Sequence, residues 1–251
     1  MDLELKGRIA LVTGASVGIG REIAKVLAAE GAQTIIVARR GELLATLADE
    51  IERDRAPRPL AIAIDLYDRA APAKIRGQVL QRFGHVDILV NNAGGSRPMA
   101  IDAPDDAWDE SFAINFTAVR KMTQAFLPTM QSRNWGRIIN ITGSLEPRSV
   151  NAANAAKAGV HAWAKGLSRE IAKDGITIHC LQPGRIHSEQ IDNRVNPGPD
   201  NQAAFSQANI PAGYFGDPSD MAYLTAFLCS PKARYLTGQR MYVDGGMHRA
   251  I

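Results

Sequence analysis

Short runs in which almost every position is apolar alternate along this chain with longer stretches whose apolar residues recur every three or four places. The short runs cover residues 9–12, 34–38, 60–64, 87–90, 137–141, 176–181 and 241–243. They lack the polar–apolar alternation of a half-exposed strand, so they predict strands buried on both faces. The intervening stretches, 20–30, 42–53, 71–83, 108–132, 152–173 and 219–229, carry the helical period. Strand–helix alternation of this kind predicts an α/β fold, a doubly wound parallel sheet of seven strands covered by helices. The 251 residues fit a single domain over 1–251. One stretch breaks the rhythm. Residues 184–217 hold Pro197, Pro199 and Pro211, with Pro218 just beyond, and show little periodicity. A connection that long inside a compact domain is usually functional, and it predicts a lid.

The first predicted strand runs into Gly14-Ala15-Ser16-Val17-Gly18-Ile19-Gly20, and a helix follows. Glycine is required where the chain turns sharply or where backbone approaches a ligand without a Cβ between them. A helix N-terminus offers unsatisfied N–H groups and a positive dipole end to a pyrophosphate. Gly14, Ser16, Val17, Gly18, Ile19 and Gly20 are therefore candidate cofactor-binding residues for a dinucleotide. The end of the second strand decides which one. An acidic residue there would bind the ribose 2′-hydroxyl of NAD, but the chain has Arg39 and Arg40. Two guanidinium groups suit a 2′-phosphate, so NADP(H) is favoured over NAD(H).

Composition narrows the partners. The net charge is only +3 and the basic residues are scattered, which argues against a nucleic-acid surface. No apolar run approaches the ~20 residues that span a bilayer, so no membrane partner is expected. Residues 1–6 carry alternating charges and no apolar stretch, unlike a signal peptide, and the expected location is cytoplasmic. Cys180 and Cys229 sit in apolar runs and read as inert core residues; no spacing suggests a metal.

With these pieces in order, the chain resembles the short-chain dehydrogenase/reductase family, which has the Rossmann fold, and within it the β-ketoacyl carrier-protein reductases. Residues 13–20 look like the family's TGxxxGIG loop. Asp65 and Leu66 resemble its adenine-contacting pair, and Asn91-Asn92-Ala93-Gly94 its NNAG motif. Asn115 falls where the family keeps a catalytic asparagine. Pro183-Gly184 looks like the turn beside the nicotinamide, and Tyr242-Val243-Asp244-Gly245-Gly246 like the closing VDGG. The resemblance thus implies cofactor contacts at Asp65, Leu66, Asn92, Ala93, Gly94, Lys157, Pro183, Gly184 and Ile186. It also implies catalytic roles for Asn115, Ser144 and Lys157, a small carbonyl or alcohol as substrate, and a homodimer or homotetramer.

The family's chemistry uses a serine, a tyrosine and a lysine four residues after the tyrosine, which spacing places on one helix face. Here the lysine is Lys157, and Ala153 stands four places earlier. The phenol that would donate a proton is missing. Alignment of 137–141 with the family's fifth strand puts Gly143 where serine is expected, with Ser144 one place late, and the interval from Ser144 to Ala153 is short. The two departures together indicate a divergent branch rather than one inactivating substitution. Losing a general acid typically costs about 10²–10⁴ in rate, so slow turnover remains possible. Lys157 acting more directly, or a water beside it, would be an altered proton relay. His187 and Tyr214 are alternative donors, and Glu146 and Arg148 could meet substrate. Two functions stay open: an NADP(H)-dependent oxidoreductase interconverting a carbonyl and an alcohol, or a catalytically silent dinucleotide-binding protein.

Overall fold

A computed structural model describes residues 1–96, 99–144, 146–147 and 149–249. Among them, strand and helix alternate from the start: β1 (Ile9–Thr13), α1 (Gly18–Ala29), β2 (Gln33–Ala38), α2 (Gly41–Arg53), β3 (Leu60–Ala63), α3 (Ala71–Phe83) and β4 (Ile88–Asn91). There follow α4 (Asp105–Phe112), α5 (Ala118–Ser132), β5 (Gly136–Ile141), α6 (Ala152–Ile171), β6 (Ile176–Pro183), α7 (Pro199–Asn209), α8 (Pro218–Cys229) and β7 (Gln239–Val243). The seven strands form one parallel sheet in the order β3-β2-β1-β4-β5-β6-β7. The chain is the doubly wound Rossmann fold that the apolar runs predict.

Strand period two divides the interior into two cores. Ala10 and Val12 of β1 face α1, α2 and α8, whereas Leu11 between them faces the opposite core with α3, α5 and α6. In β6, Ile176, Ile178 and Cys180 enter the second core and Leu181 the first. Full burial of each such branched side chain contributes about 1.5–3 kcal/mol. The cysteines are core residues as expected, and burial pushes both thiols up to about 12. No described helix is long and apolar enough to cross a membrane.

Strand order reverses between β1 and β4, which pair directly. At such a switch point the loops leaving the two strands diverge to opposite faces and open a crevice at the carboxyl edge of the sheet. The glycine loop after β1 and the Asn92–Gly94 turn after β4 meet there.

Two elements differ from the sequence pattern. The helix expected over 108–132 is interrupted by a π-helical turn, Ala113–Thr117, which separates α4 from α5. The π turn shifts the hydrogen-bond ladder by one residue, and the Asn115 side chain takes up part of the difference by donating to Ser111 O at 2.9 Å. Residues 184–217 are also less irregular than predicted. A π turn, Ile191–Val195, is followed by α7, which starts at Gly198 (φ 80°) and Pro199. Only Ser206 of α7 is buried, so the helix carries no apolar stripe by which to recognise it.

Candidate active site

The crevice is assembled by backbone packing. Gly14 has φ 66°, and a Cβ there would stand 2.8 Å from Asn92 Nδ2 and 2.9 Å from Ala93 Cα. A Cβ on Gly20 would collide with the same nitrogen. These glycines therefore let two loops touch. The Thr13 hydroxyl accepts from the N–H of Asn92 (3.0 Å) and Ala93 (3.1 Å), and Asn92 Nδ2 donates to the carbonyls of Thr13 and Gly14 at 3.1 Å each. Ala15 N–H reaches Val37 O in β2. So Asn92 braces the cradle with its side chain, a role the motif alone does not reveal.

At the start of α1, Val17 is the N-cap with no side-chain hydrogen bond, and the first turn holds no acidic residue. Gly18, Ile19 and Gly20 form that turn, Gly18 with φ 57°, and half-buried Ser16 stands just before it. The N–H groups of an uncapped turn are available to an anion, and the absence of a nearby carboxylate suits a pyrophosphate. This end of the crevice fits a dinucleotide. Arg39 and Arg40 are both exposed where β2 ends. Arg40 is already engaged: its Nη1 and Nη2 donate to the Glu189 carboxylate at 3.2 and 3.0 Å. Asp65 is exposed beyond β3 and accepts from Tyr67 N–H, while Leu66 packs into the second core.

The other end of the crevice holds Lys157. Its Nζ donates to Thr142 O at 3.2 Å, and desolvation lowers the ammonium from its ordinary 10.5 to about 8. Gly94 and Gly143 leave it room: a Cβ on Gly143 would lie 3.3 Å from Lys157 Cδ, and one on Gly94 3.8 Å from Nζ. Asn115 is brought beside Gly94, but its amide is spent on the backbone, donating to Gly95 O (3.0 Å) and accepting from Gly95 N–H (3.2 Å). Ser144 Oγ accepts from Glu146 N–H at 3.0 Å. Ala153 is 1% exposed in the first turn of α6, which Asn151 caps through Ala153 N–H. Gly184 donates to Val243 O and touches Asp244, next to half-buried Pro183. The Ile186 side chain is buried in the first core; its neighbours make the bridge to Gly216, so its own backbone groups face away from that bridge.

Of the alternative donors, His187 is held inside the 184–217 segment, Nδ1 lying 2.8 Å from Asp192 and the ring against Phe215. Tyr214 is 66% exposed and lines a cavity of about 460 Å³ with Arg185, Asp220 and Tyr242. Arg148 lies outside the described residues. Sequence reasoning missed the polar groups gathered behind the loop after β5. Gln182 Nε2 donates to Gly143 O at 2.6 Å, His161 lies against the Gly143 backbone one helical turn past Lys157, and His248 stacks on Tyr242 with Nδ1 3.4 Å from Glu146. Only the spacing of Lys157 and His161, four residues apart, was available as a signal.

The family model described as enoyl-(acyl carrier protein) reductase matches residues 14–248. The chain belongs to the short-chain dehydrogenase/reductase family. It is similar to the 3-oxoacyl-[acyl-carrier-protein] reductase of Vibrio harveyi, at 36% identity over 98% of this chain and 99% of that one. Among solved structures it resembles L-sorbose reductase from Gluconobacter frateurii, complexed with NADPH and L-sorbose, with TM-score 0.93, 30% identity and full coverage of both chains. It also resembles a 7α-hydroxysteroid dehydrogenase complexed with NADH, with TM-score 0.92 and 27% identity over 99% of this chain and 97% of that one. Reductases and dehydrogenases of this family thus surround the chain, with either nicotinamide dinucleotide bound.

Proposed function

We propose that the chain is an NADP(H)-dependent oxidoreductase that interconverts a small carbonyl and an alcohol, with Lys157 in place of a phenol as the source of the proton. The observation that carries this reading is the desolvated ammonium of Lys157, whose one hydrogen bond among the described residues is to Thr142 O. Two donor positions remain on Nζ. Arg39, the uncapped turn at Gly18–Gly20 and the NADPH-bound relative support the choice of cofactor. A bound reduced nicotinamide would supply the hydride.

The chain's own residues do the rest. The α1 N-terminus holds the pyrophosphate, and Arg39 with Arg40 holds the 2′-phosphate, Arg40 once Glu189 has left its guanidinium. Ser144, with Glu146 N–H on one lone pair, keeps its O–H to donate to the substrate carbonyl. As negative charge develops on the carbonyl oxygen, the Lys157 ammonium stabilises it and releases a proton to it; a donor tuned to about 8 is better matched to neutral pH than one at 10.5. Asn115 holds the Gly95 backbone, and so the turn after β4, in register. Residues 184–217 act as the cover over the substrate. The apolar and small residues on several faces of the helices within 108–132 and 152–173, with Phe112 exposed among them, support assembly into a homodimer or homotetramer.

The test is consumption of NADPH against a panel of ketones and β-ketoacyl thioesters. Lys157→Ala is expected to lower turnover about 10²–10⁴-fold. The wild-type rate of reduction should fall as pH rises through about 8, because the protonated ammonium is the donor. Turnover indifferent to Lys157→Ala would overturn the proton source. Tight dinucleotide binding with no turnover on any compound would leave a silent binding protein instead, a reading favoured only by the buried methyl of Ala153.

A further inference from the structure

The start of the cover segment crosses the phosphate cradle with three consecutive side chains. Ser188 Cβ lies 3.4 Å from where a Cβ on Gly18 would stand, against the first turn of α1. Glu189 holds Arg40 at the end of β2 through two nearly parallel hydrogen bonds. Gln190 Nε2 donates to Ser96 O, beyond β4, at 3.2 Å. Asp192 N–H to Ser188 O and Ile191 N–H to Ser188 Oγ fold the strap back on itself. The strap thus ties together the three loops that would enclose a dinucleotide.

The two-pronged guanidinium–carboxylate contact is the same geometry in which arginine grips a phosphate. Arg40 therefore cannot offer its fork to a 2′-phosphate while Glu189 occupies it. Arg39 beside it makes no hydrogen bond or ion pair among the described residues. We propose that Glu189 is a specificity-determining residue that stands in for the 2′-phosphate on Arg40 and thereby sets how strongly the chain prefers NADP(H) over NAD(H). NADP(H) must exchange a carboxylate for its own phosphate and displace Glu189, since the two anions repel at one fork. NAD(H), with a hydroxyl at that position, leaves the pair intact. The inference rests on the dinucleotide reading of the cradle. The pair is half exposed, with 43% and 54% of its side chains accessible, so the effect has the size of a surface ion pair.

The experiment is calorimetric titration of the full chain with NADP⁺, NAD⁺, adenosine 2′,5′-bisphosphate and 5′-AMP. Glu189→Gln should tighten the two 2′-phosphorylated ligands about two- to fivefold and leave NAD⁺ and 5′-AMP unchanged. In an Arg40→Gln background the same substitution should do nothing. Equal weakening of all four ligands in Glu189→Gln would mean that the strap merely clamps cofactor, and would overturn the proposal. So would an unchanged ratio of NADP⁺ to NAD⁺ affinity with binding otherwise normal. Failure of the wild-type chain to bind any of the four overturns the dinucleotide reading itself, a result distinct from the other two.

Discussion

At residue scale the proposed proton relay turns on one methyl group. Ala153 is buried in the first turn of α6, with 1% of its surface exposed, so a larger side chain there meets packed neighbours. Ala153→Tyr is expected to overpack the turn and destabilise the chain by about 1–3 kcal/mol, which lowers Tm by several degrees. It should not raise turnover. A thermally unchanged Ala153→Tyr variant with faster NADPH consumption would show that the pocket still has room for a phenol. The spacing of Ala153 and Lys157 was legible in the sequence. What surrounds Lys157 was not, because the Thr142 carbonyl and the absent side chains of Gly94 and Gly143 come from other strands and loops. Asn115 carries the same lesson: its position matched a motif, but the π turn and Gly95 that use up its amide appear only once the chain is folded.

At the scale of elements, the loop joining β1 to α1 shows why glycines of one conformation are not equivalent. Gly14 (φ 66°) and Gly84 (φ 75°) both lie in the left-handed region, yet a Cβ on Gly84 meets nothing within 4 Å. Gly84→Ala should cost only the backbone term, about 1–2 kcal/mol. Gly14→Ala adds a clash with Asn92 and Ala93, and should cost about 2–4 kcal/mol and abolish dinucleotide binding. Urea unfolding and calorimetry on the two variants check this; equal losses would mean that contact between the loops after β1 and β4 is not what requires Gly14. Elements with an apolar stripe were read correctly from the pattern, often to within a residue or two. The elements that differ are those whose stability is not written in such a stripe. The break between α4 and α5 is a change of hydrogen-bond ladder, and α7 begins because Gly198 and Pro199 set its first turn.

For the whole molecule, two desolvated histidines, half-buried His161 and buried His179, make stability fall in acid. Burial lowers His161 and His179 from the ordinary 6.5 to about 4, so both are neutral in the folded chain at neutral pH. The unfolded chain binds more protons between about 4 and 6.5, so stability rises with pH across that window and is lost as pH falls from 6.5 to 4. Each histidine contributes a slope of at most about 1.4 kcal/mol per pH unit. Urea midpoints measured from pH 7 to 4 should fall more steeply for the wild type than for His179→Leu; parallel profiles would remove His179 from the account. The sequence by itself determined the order of strands and helices, the doubly wound sheet and the glycine turn after β1, because hydrophobic period and local turn chemistry act over a few residues; Lys157 stood out only through the family resemblance. Only the tertiary structure decided which groups share the crevice: Glu189 on Arg40, Asn92 beneath the cradle, and Gln182 and His161 behind Gly143. Those contacts join residues up to 149 positions apart, and the twist and order of the sheet bring them together.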